Sequence, residues 1–143
     1  LLRHAFLESA QIPTSLTLLI QREVAEKICS ETDASLLTIL VRLFGTPTLI
    51  KTVPPNAFLP PPKVDSAVIH IASHPEPIAD RETIDEIFRL TKIAFSQKRK
   101  MLRKTLGSSP EGMQRLEAAG IDPTRRPQTL SVEEWVKIAQ IVA

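Results

Sequence analysis

Phe58 is the residue whose setting invites a chemical reading. It stands in the run from Val53 to Ile71, where five of the chain's twelve prolines fall between Pro54 and Pro62. Each proline fixes φ and removes a backbone donor, so this run is a stiff, extended connection rather than a helix or an inner strand. A stiff backbone loses little entropy when a ligand settles on it, and a ring held there is pre-organised to stack on a planar partner. On the loop alone, the commoner use of an aromatic ring, plugging the core beneath it, is the favoured reading. Lys63 is placed to face a phosphate. Asp65 and Ser66 have side chains suited to local turn hydrogen bonds before a strand as readily as to a ligand.

A second constellation is basic. Lys98, Arg99, Lys100, Arg103 and Lys104 put five cations into seven residues with no acid among them. At the helical spacing of about 100° per residue, Arg89, Lys92, Arg99, Lys100, Arg103 and Lys104 gather on one broad side, and Arg125 and Arg126 follow on a later loop. A patch of this kind suits phosphates, each contact releasing counterions from a nucleic acid. A charge run is more often a solvated helix face, but six cations without acidic partners at i+4 tip the balance toward binding. Aromatic residues are only 4% with no tyrosine, so the patch would grip backbone and shape rather than read bases. His4, His70 and His74 lack ligand spacing, and the single Cys29 leaves neither a Cys-x-x-Cys pattern nor an intrachain disulfide. No metal, acid or base role is assigned, and a reducing, cytoplasmic setting is expected.

The elements that must position these residues read as α+β. Leu2, Ala5 and Phe6 have helical spacing, as if the chain opened inside a helix of a longer protein. A strand follows over Leu16 to Ile20, a helix over Gln21 to Ser30, and a second helix over Ser35 to Phe44, ended by Gly45 and Pro47. Strands are expected at Leu49 to Val53 and around Ala67, Ile69 and Ile71, joined by the proline-rich loop. Pro75 and Pro77 mark a boundary, giving units 1–74 and 75–143. The second is expected to be all helical. One helical pattern runs from Asp80 to Leu106, broken near Ser96 into two helices, with Ile84, Ile87, Phe88, Thr91, Phe95, Leu102 and Leu106 as its apolar stripe. A short helix over Glu111 to Ala119 is capped by Gly120, and another over Ser131 to Val142 opens on a capping box of Ser131 and Glu134, with Trp135, Ile138 and Val142 inward. The 43% hydrophobic and 24% charged fractions, with net charge +2, are those of a soluble globular protein. No apolar run approaches the roughly 20 residues of a membrane span.

Phe58-Leu-Pro-Pro-Pro-Lys-Val-Asp-Ser66 resembles the F-x-P-P-P-K-V-D-S motif of the KsgA-type ribosomal RNA adenine dimethyltransferases. Leu19-Ile20-Gln21-Arg22-Glu23-Val24-Ala25 is similar to that family's M-L-Q-K-E-V-A segment, and Ala94-Phe95-Ser96-Gln97-Lys98-Arg99-Lys100 to its A-F-x-Q-R-R-K. Ala119-Gly120-Ile121-Asp122 through Arg126-Pro127 to Leu130-Ser131 is similar to its G-I-D-x-x-R-P-x-x-L-S. Ala34-Ser35-Leu36-Leu37-Thr38 departs from the usual Y-G-x-L-S.

The resemblance implies that residues 1–74 are the end of a Rossmann-like methyltransferase sheet and that 75–143 are a helical rRNA-binding domain. Phe58 would stack on a flipped adenine as the catalytic residue, in a target-base pocket with Pro60, Pro61, Lys63 and Ser66. Lys92, Lys98, Arg99, Lys100, Arg103, Lys104, Arg125 and Arg126 would grip small-subunit rRNA. The methyl donor would be S-adenosylmethionine, its site upstream of Leu1, where the family's N-[LI]-P-Y motif, which holds the amino group of the target adenine, would also lie. Gly45, Gly107, Gly112 and Gly120 lie at helix ends or inside a short helix, and none makes a nucleotide-binding turn. The chain alone is therefore expected to be inactive, with rRNA as its partner and neither membrane nor metal. Two readings from other classes stand beside this one: a non-catalytic RNA- or ribosome-binding module, and a helical protein-interaction domain whose association would ignore salt.

Overall fold

A computed structural model describes residues 13–30 and 33–141. The opening pattern of Leu2, Ala5 and Phe6, and Val142, lie outside them. Contacts divide the chain into two compact units, one of residues up to 30 with 40–78, the other of 31–39 with 79 onward.

The first unit is built on three strands, β1 (Ser15–Gln21), β2 (Gly45–Val53) and β3 (Ser66–Ser73), in the order β1-β3-β2. The central β3 is antiparallel to both neighbours, so β1 and β2 run parallel to each other. Alternation decides which face is covered. Leu16, Ile71 and Pro47 stand in one row and Leu18, Ile69 and Leu49 in the next, with Ala67, Ile69 and Ile71 completely buried. The helix α1 (Arg22–Cys29) packs along all three strands and buries Ala25 and Ile28. The other face carries Ser15, Ala72 and Thr46, then Thr17, His70 and Thr48, with Thr17 Oγ1 and His70 Nδ1 3.0 Å apart.

The helix α2 (Leu36–Phe44) ends where expected, but β2 begins at Gly45, earlier than the Leu49 read from the apolar pattern. Pro47 is tolerated because β2 lies at the sheet edge among the described strands. Gly45 is needed because a Cβ there would come within 2.7 Å of the Ala72 carbonyl oxygen. A bulge between Leu49 and Lys51 leaves Ile50 58% exposed and re-aims the strand end toward the proline-rich loop.

The second unit holds α3 (Arg81–Phe95), α4 (Pro110–Ala118) and α5 (Val132–Gln140), with no strand among its described residues. Each begins on a side-chain cap: Asp80 accepts from the Thr83 amide at 2.8 Å, Ser109 from Gly112 at 3.1 Å, and Ser131 and Glu134 form the expected capping box. Gly120 follows α4 at φ 72°, a conformation other residues rarely adopt. Ile84, Ile87, Leu90, Thr91 and Ala94 bury one face of α3, whereas Phe88, Phe95 and Leu106 are only half-buried. Trp135 is completely buried, its ring 6.1 Å from that of Phe95.

The two helices expected between Asp80 and Leu106 are one. α3 stops at Phe95, and the chain continues as turns and a 3₁₀ turn over Leu102–Lys104. Arg99 with Arg103, and Lys100 with Lys104, would be like charges at i, i+4 on a helix. The amides of Leu102 and Arg103 instead donate to the carbonyls of Arg125 and Pro123, at 2.8 and 2.9 Å. Leu102, completely buried, anchors the segment.

Arg115 ties the three helices together. Its guanidinium donates to Glu86 on α3 at 3.0 Å and to the carbonyls of Ile138 and Ala139 at the end of α5, at 2.8 and 3.1 Å. Arg89 forks onto the same Glu86. Hydrogen bonding from Arg89, reinforced by Arg115, holds the Glu86 carboxyl below the usual range.

Two outcomes follow from this architecture. Gly45→Ala should destabilise the chain by about 1–3 kcal/mol in urea unfolding, since backbone has to shift; an unchanged midpoint would contradict the close approach of β2 and β3. Because the folded Glu86 carboxyl is depressed, its contribution is present above the unfolded value of about 4.3 and is lost as pH falls through the lower folded one. The thermal midpoint should therefore decline as pH drops below that unfolded value, and Glu86→Gln should flatten the decline; an equally steep profile in the variant would remove Glu86 as its cause.

Candidate nucleic-acid site

At one end of the sheet Gln21, Ser66 and Val53 stand in register. There β1 and β2 leave by their carboxyl ends, the side on which open α/β sheets bind ligands. From Val53 the chain passes Pro54, makes a 3₁₀ turn over Pro55–Ala57, and extends through Phe58 at φ −114° and ψ 157°. The Leu59–Pro60 peptide is cis. Phe58 is half-buried and is not a core residue. Leu59 is 97% exposed, and Pro60 to Val64 are all exposed. The segment from Leu59 to Val64 thus stands in solvent, with the half-buried Phe58 at its start. Lys63 has no acidic partner among the described residues, and Ser66 is half-buried at the start of β3.

Asp65, read as suited to a turn bond or to a ligand, is bonded to a residue distant in sequence. Its carbonyl accepts the Arg22 amide at 3.0 Å and its carboxylate accepts Arg22 Nη1 at 2.8 Å. Arg22 also approaches Glu26 at 3.4 Å. An exposed pair of this kind adds little stability. Its effect is geometric: it fixes the exit of the loop to the first turn of α1. Arg22 was not identified from sequence, because the partners lie 43 positions apart. Antiparallel register is the signal that finds it, since Gln21 opposite Ser66 puts Arg22 beside Asp65.

In the second unit the cations are distributed differently from the expected helical face, because the helix that would carry them ends at Phe95. Lys92 is exposed on α3. Lys98, Arg99, Lys100, Arg103 and Lys104 are all exposed on the turns that follow, none with an acidic partner among the described residues. Arg89 leaves the group, being paired with Glu86. Arg125 is paired with both oxygens of Glu134 and donates to the Thr129 carbonyl. These bonds, Arg125 first, hold the Glu134 carboxyl below its usual range. Arg126 is exposed, and its Nε donates to the Arg99 carbonyl at 2.8 Å. A cationic turn of Lys98, Arg99, Lys100, Arg103, Lys104 and Arg126 is the result, with Lys92 on the preceding helix.

The glycines offer no cradle for a nucleotide cofactor. Beyond Gly45, closed by Ala72, a Cβ at Gly112 would meet the Leu106 carbonyl oxygen at 1.9 Å, and one at Gly107 would meet Met113 Sδ at 2.6 Å. Gly120 lies at the end of α4. None of the four opens a turn after a strand. No group of three or more metal-ligating side chains occurs among them, and none of their helices is long and apolar enough to cross a membrane.

The described fold has solved counterparts. A crystal structure of a dimethyladenosine transferase from Plasmodium falciparum superposes with a TM-score of 0.75 at 24% identity, over 92% of this chain and 57% of that one. A crystal structure of the 23S rRNA methyltransferase ErmE gives a TM-score of 0.63 at 20% identity, over 92% and 56%. Among curated relatives, the ribosomal RNA small subunit methyltransferase A of Dehalococcoides mccartyi strain CBDB1 is 41% identical over 139 residues, 93% of this chain and 48% of that protein. The protein of the same name from Novosphingobium aromaticivorans is 46% identical over 133 residues, 90% and 47% respectively. The chain therefore spans about half the length of the curated relatives it matches. The family model for ribosomal RNA adenine dimethylases matches residues 1–143 in full. With its proline-rich loop set at the carboxyl ends of parallel strands, this chain belongs to the ribosomal RNA adenine dimethylase family.

Proposed function

We propose that the chain is the target-base and RNA-gripping part of an enzyme that methylates adenine amino groups of small-subunit rRNA. The observation that carries this reading is the exposed Leu59–Val64 segment beside the half-buried Phe58, in a chain matched by the family model along its whole length. The methyl donor is S-adenosylmethionine, held by the half of the relatives' length that this chain does not match. Alone, the 143-residue chain transfers no methyl group.

In this reading the described residues bind and orient. The nucleophile is the adenine's own amino nitrogen, so the chain's part is to take the base out of its stack and hold it. Extrusion costs a few kcal/mol. Stacking on Phe58, worth about 1–3 kcal/mol per base, offsets much of that cost. Pro60 and Pro61 keep the loop from losing entropy when the base arrives, and Lys63 faces the flanking phosphate. Ser66, anchored in β3, holds the wall of the pocket. Lys92, Lys98, Arg99, Lys100, Arg103 and Lys104 meet the RNA backbone, which positions the substrate without reading its sequence.

Phe58→Ala in the full-length enzyme should lower turnover at least about fivefold, the weight of one stacked base, with ribosomal RNA binding nearly intact. Wild-type turnover would remove the ring from the mechanism. Replacing Arg99, Lys100 and Arg103 together by alanine should make the salt dependence of rRNA binding shallower by about two to three units in log–log slope. An unchanged slope would discard the cationic turn as the grip.

A further inference from the structure

Like charges crowded on one turn repel, so something has to hold the turn in shape. No carboxylate among the described residues touches its lysines or arginines. Backbone bonds hold it instead. Leu102 and Arg103 donate their amides to the carbonyls of Arg125 and Pro123, at 2.8 and 2.9 Å, and Arg126 Nε donates to the Arg99 carbonyl at 2.8 Å. All three bonds join the turn to one segment, Pro123 to Arg126.

That segment is itself fixed. Asp122 Oδ1 accepts the Thr124 amide at 2.9 Å and its hydroxyl at 2.7 Å, and the Thr129 hydroxyl donates to the Arg126 carbonyl at 2.7 Å. The Arg125 guanidinium turns away from the cationic turn, forking onto Glu134 and donating to the Thr129 carbonyl. Glu134 is in turn seated in the first turn of α5, where its Oε1 accepts the Ser131 amide at 3.0 Å. Both partners of the fork are well shielded, with side chains 31% and 26% exposed.

We infer that Arg125 and Glu134 form a clamp that positions the cationic turn for RNA, Arg125 being a positioning residue and not a phosphate contact. The inference rests on the proposed role of the turn in gripping rRNA. Ordering the turn with acids beside its lysines would have cancelled the field that attracts phosphate. Ordering it through backbone carbonyls, with the carboxylates of Asp122 and Glu134 a step removed, keeps the charge and lowers the entropy lost on binding. Arg126 does both jobs: Nε holds the Arg99 carbonyl, while its Nη groups have no partner among the described residues.

Three variants of the full-length enzyme separate positioning from contact, with in vitro transcribed small-subunit rRNA as the probe. Arg125→Lys keeps the charge but not the fork, Arg125→Gln loses both, and Glu134→Gln removes a negative charge while leaving a residue suited to the capping box. The clamp predicts that all three weaken binding by about tenfold or more, the weight of a charge-assisted hydrogen bond. It also predicts faster hydrogen exchange at the Leu102 and Arg103 amides with unchanged exchange at Ile87 and Leu90 in α3. Should Arg125→Gln lose that α3 protection and unfold, the other two decide. Glu134→Gln binding as tightly as the wild type or tighter, or Arg125→Lys retaining full affinity, would overturn the clamp while leaving the grip in place. Wild-type binding that ignores salt would instead remove the grip and the clamp with it.

Discussion

The antiparallel pairing of β3 with both of its neighbours is the constraint on which the candidate base site depends. A central strand that runs against two flanking strands brings the carboxyl ends of β1 and β2 to the same edge, and its own first residue to that edge as well. The proline-rich connection must then start and finish there. The features that make Phe58 a candidate, the exposed segment that follows it, its stiff backbone and the tether from Asp65 to Arg22, follow from where that connection is anchored. A slip of one residue would turn every side chain of β3 over and bury the wrong set, so the buried row of Ala67, Ile69 and Ile71 also fixes where the loop begins.

The two units order their candidate surfaces by opposite routes. In the first, a loop is made rigid by its own covalent structure, prolines needing no partner to stay extended. In the second, a turn with strong self-repulsion is made rigid from outside, by carbonyls of a neighbouring segment. The same difference explains their electrostatics. The loop carries the single cation Lys63 between Phe58 and Ser66, whereas the turn concentrates charge in a chain whose net charge is only +2. Acids are present in the second unit, but Glu86 and Glu134 are engaged with Arg89, Arg115 and Arg125, away from the turn.

Much of this was legible from residue pattern. A short apolar run placed β1, alternation placed β3, amphipathic spacing placed α1, α3 and α5, and the Ser131–Glu134 box placed the start of the last helix, because each signal is local and has a short-range physical cause. What escaped was set by contacts between distant positions. Nothing near Gly45 and Pro47 says that they enter a strand; the edge position and the close approach of Ala72 do. Residues 97–104 have helical spacing, yet their amides find partners at Pro123 and Arg125. Counting charges along a helix also could not show that Arg89 and Arg125 are occupied by Glu86 and Glu134 while Lys98 to Lys104 are left open. For the candidate site, the type of residue at Phe58 was readable, but its tether Arg22 was not.

The central claim is that the Phe58 ring meets an extruded adenine. It is tested most directly by placing a benzophenone-bearing phenylalanine at position 58 of the full-length enzyme and irradiating it with its small-subunit rRNA substrate. The account predicts a crosslink confined to an adenine nucleotide or its immediate neighbour. Crosslinks formed only within the protein would mean that the ring serves the fold and not the base, and would contradict the account.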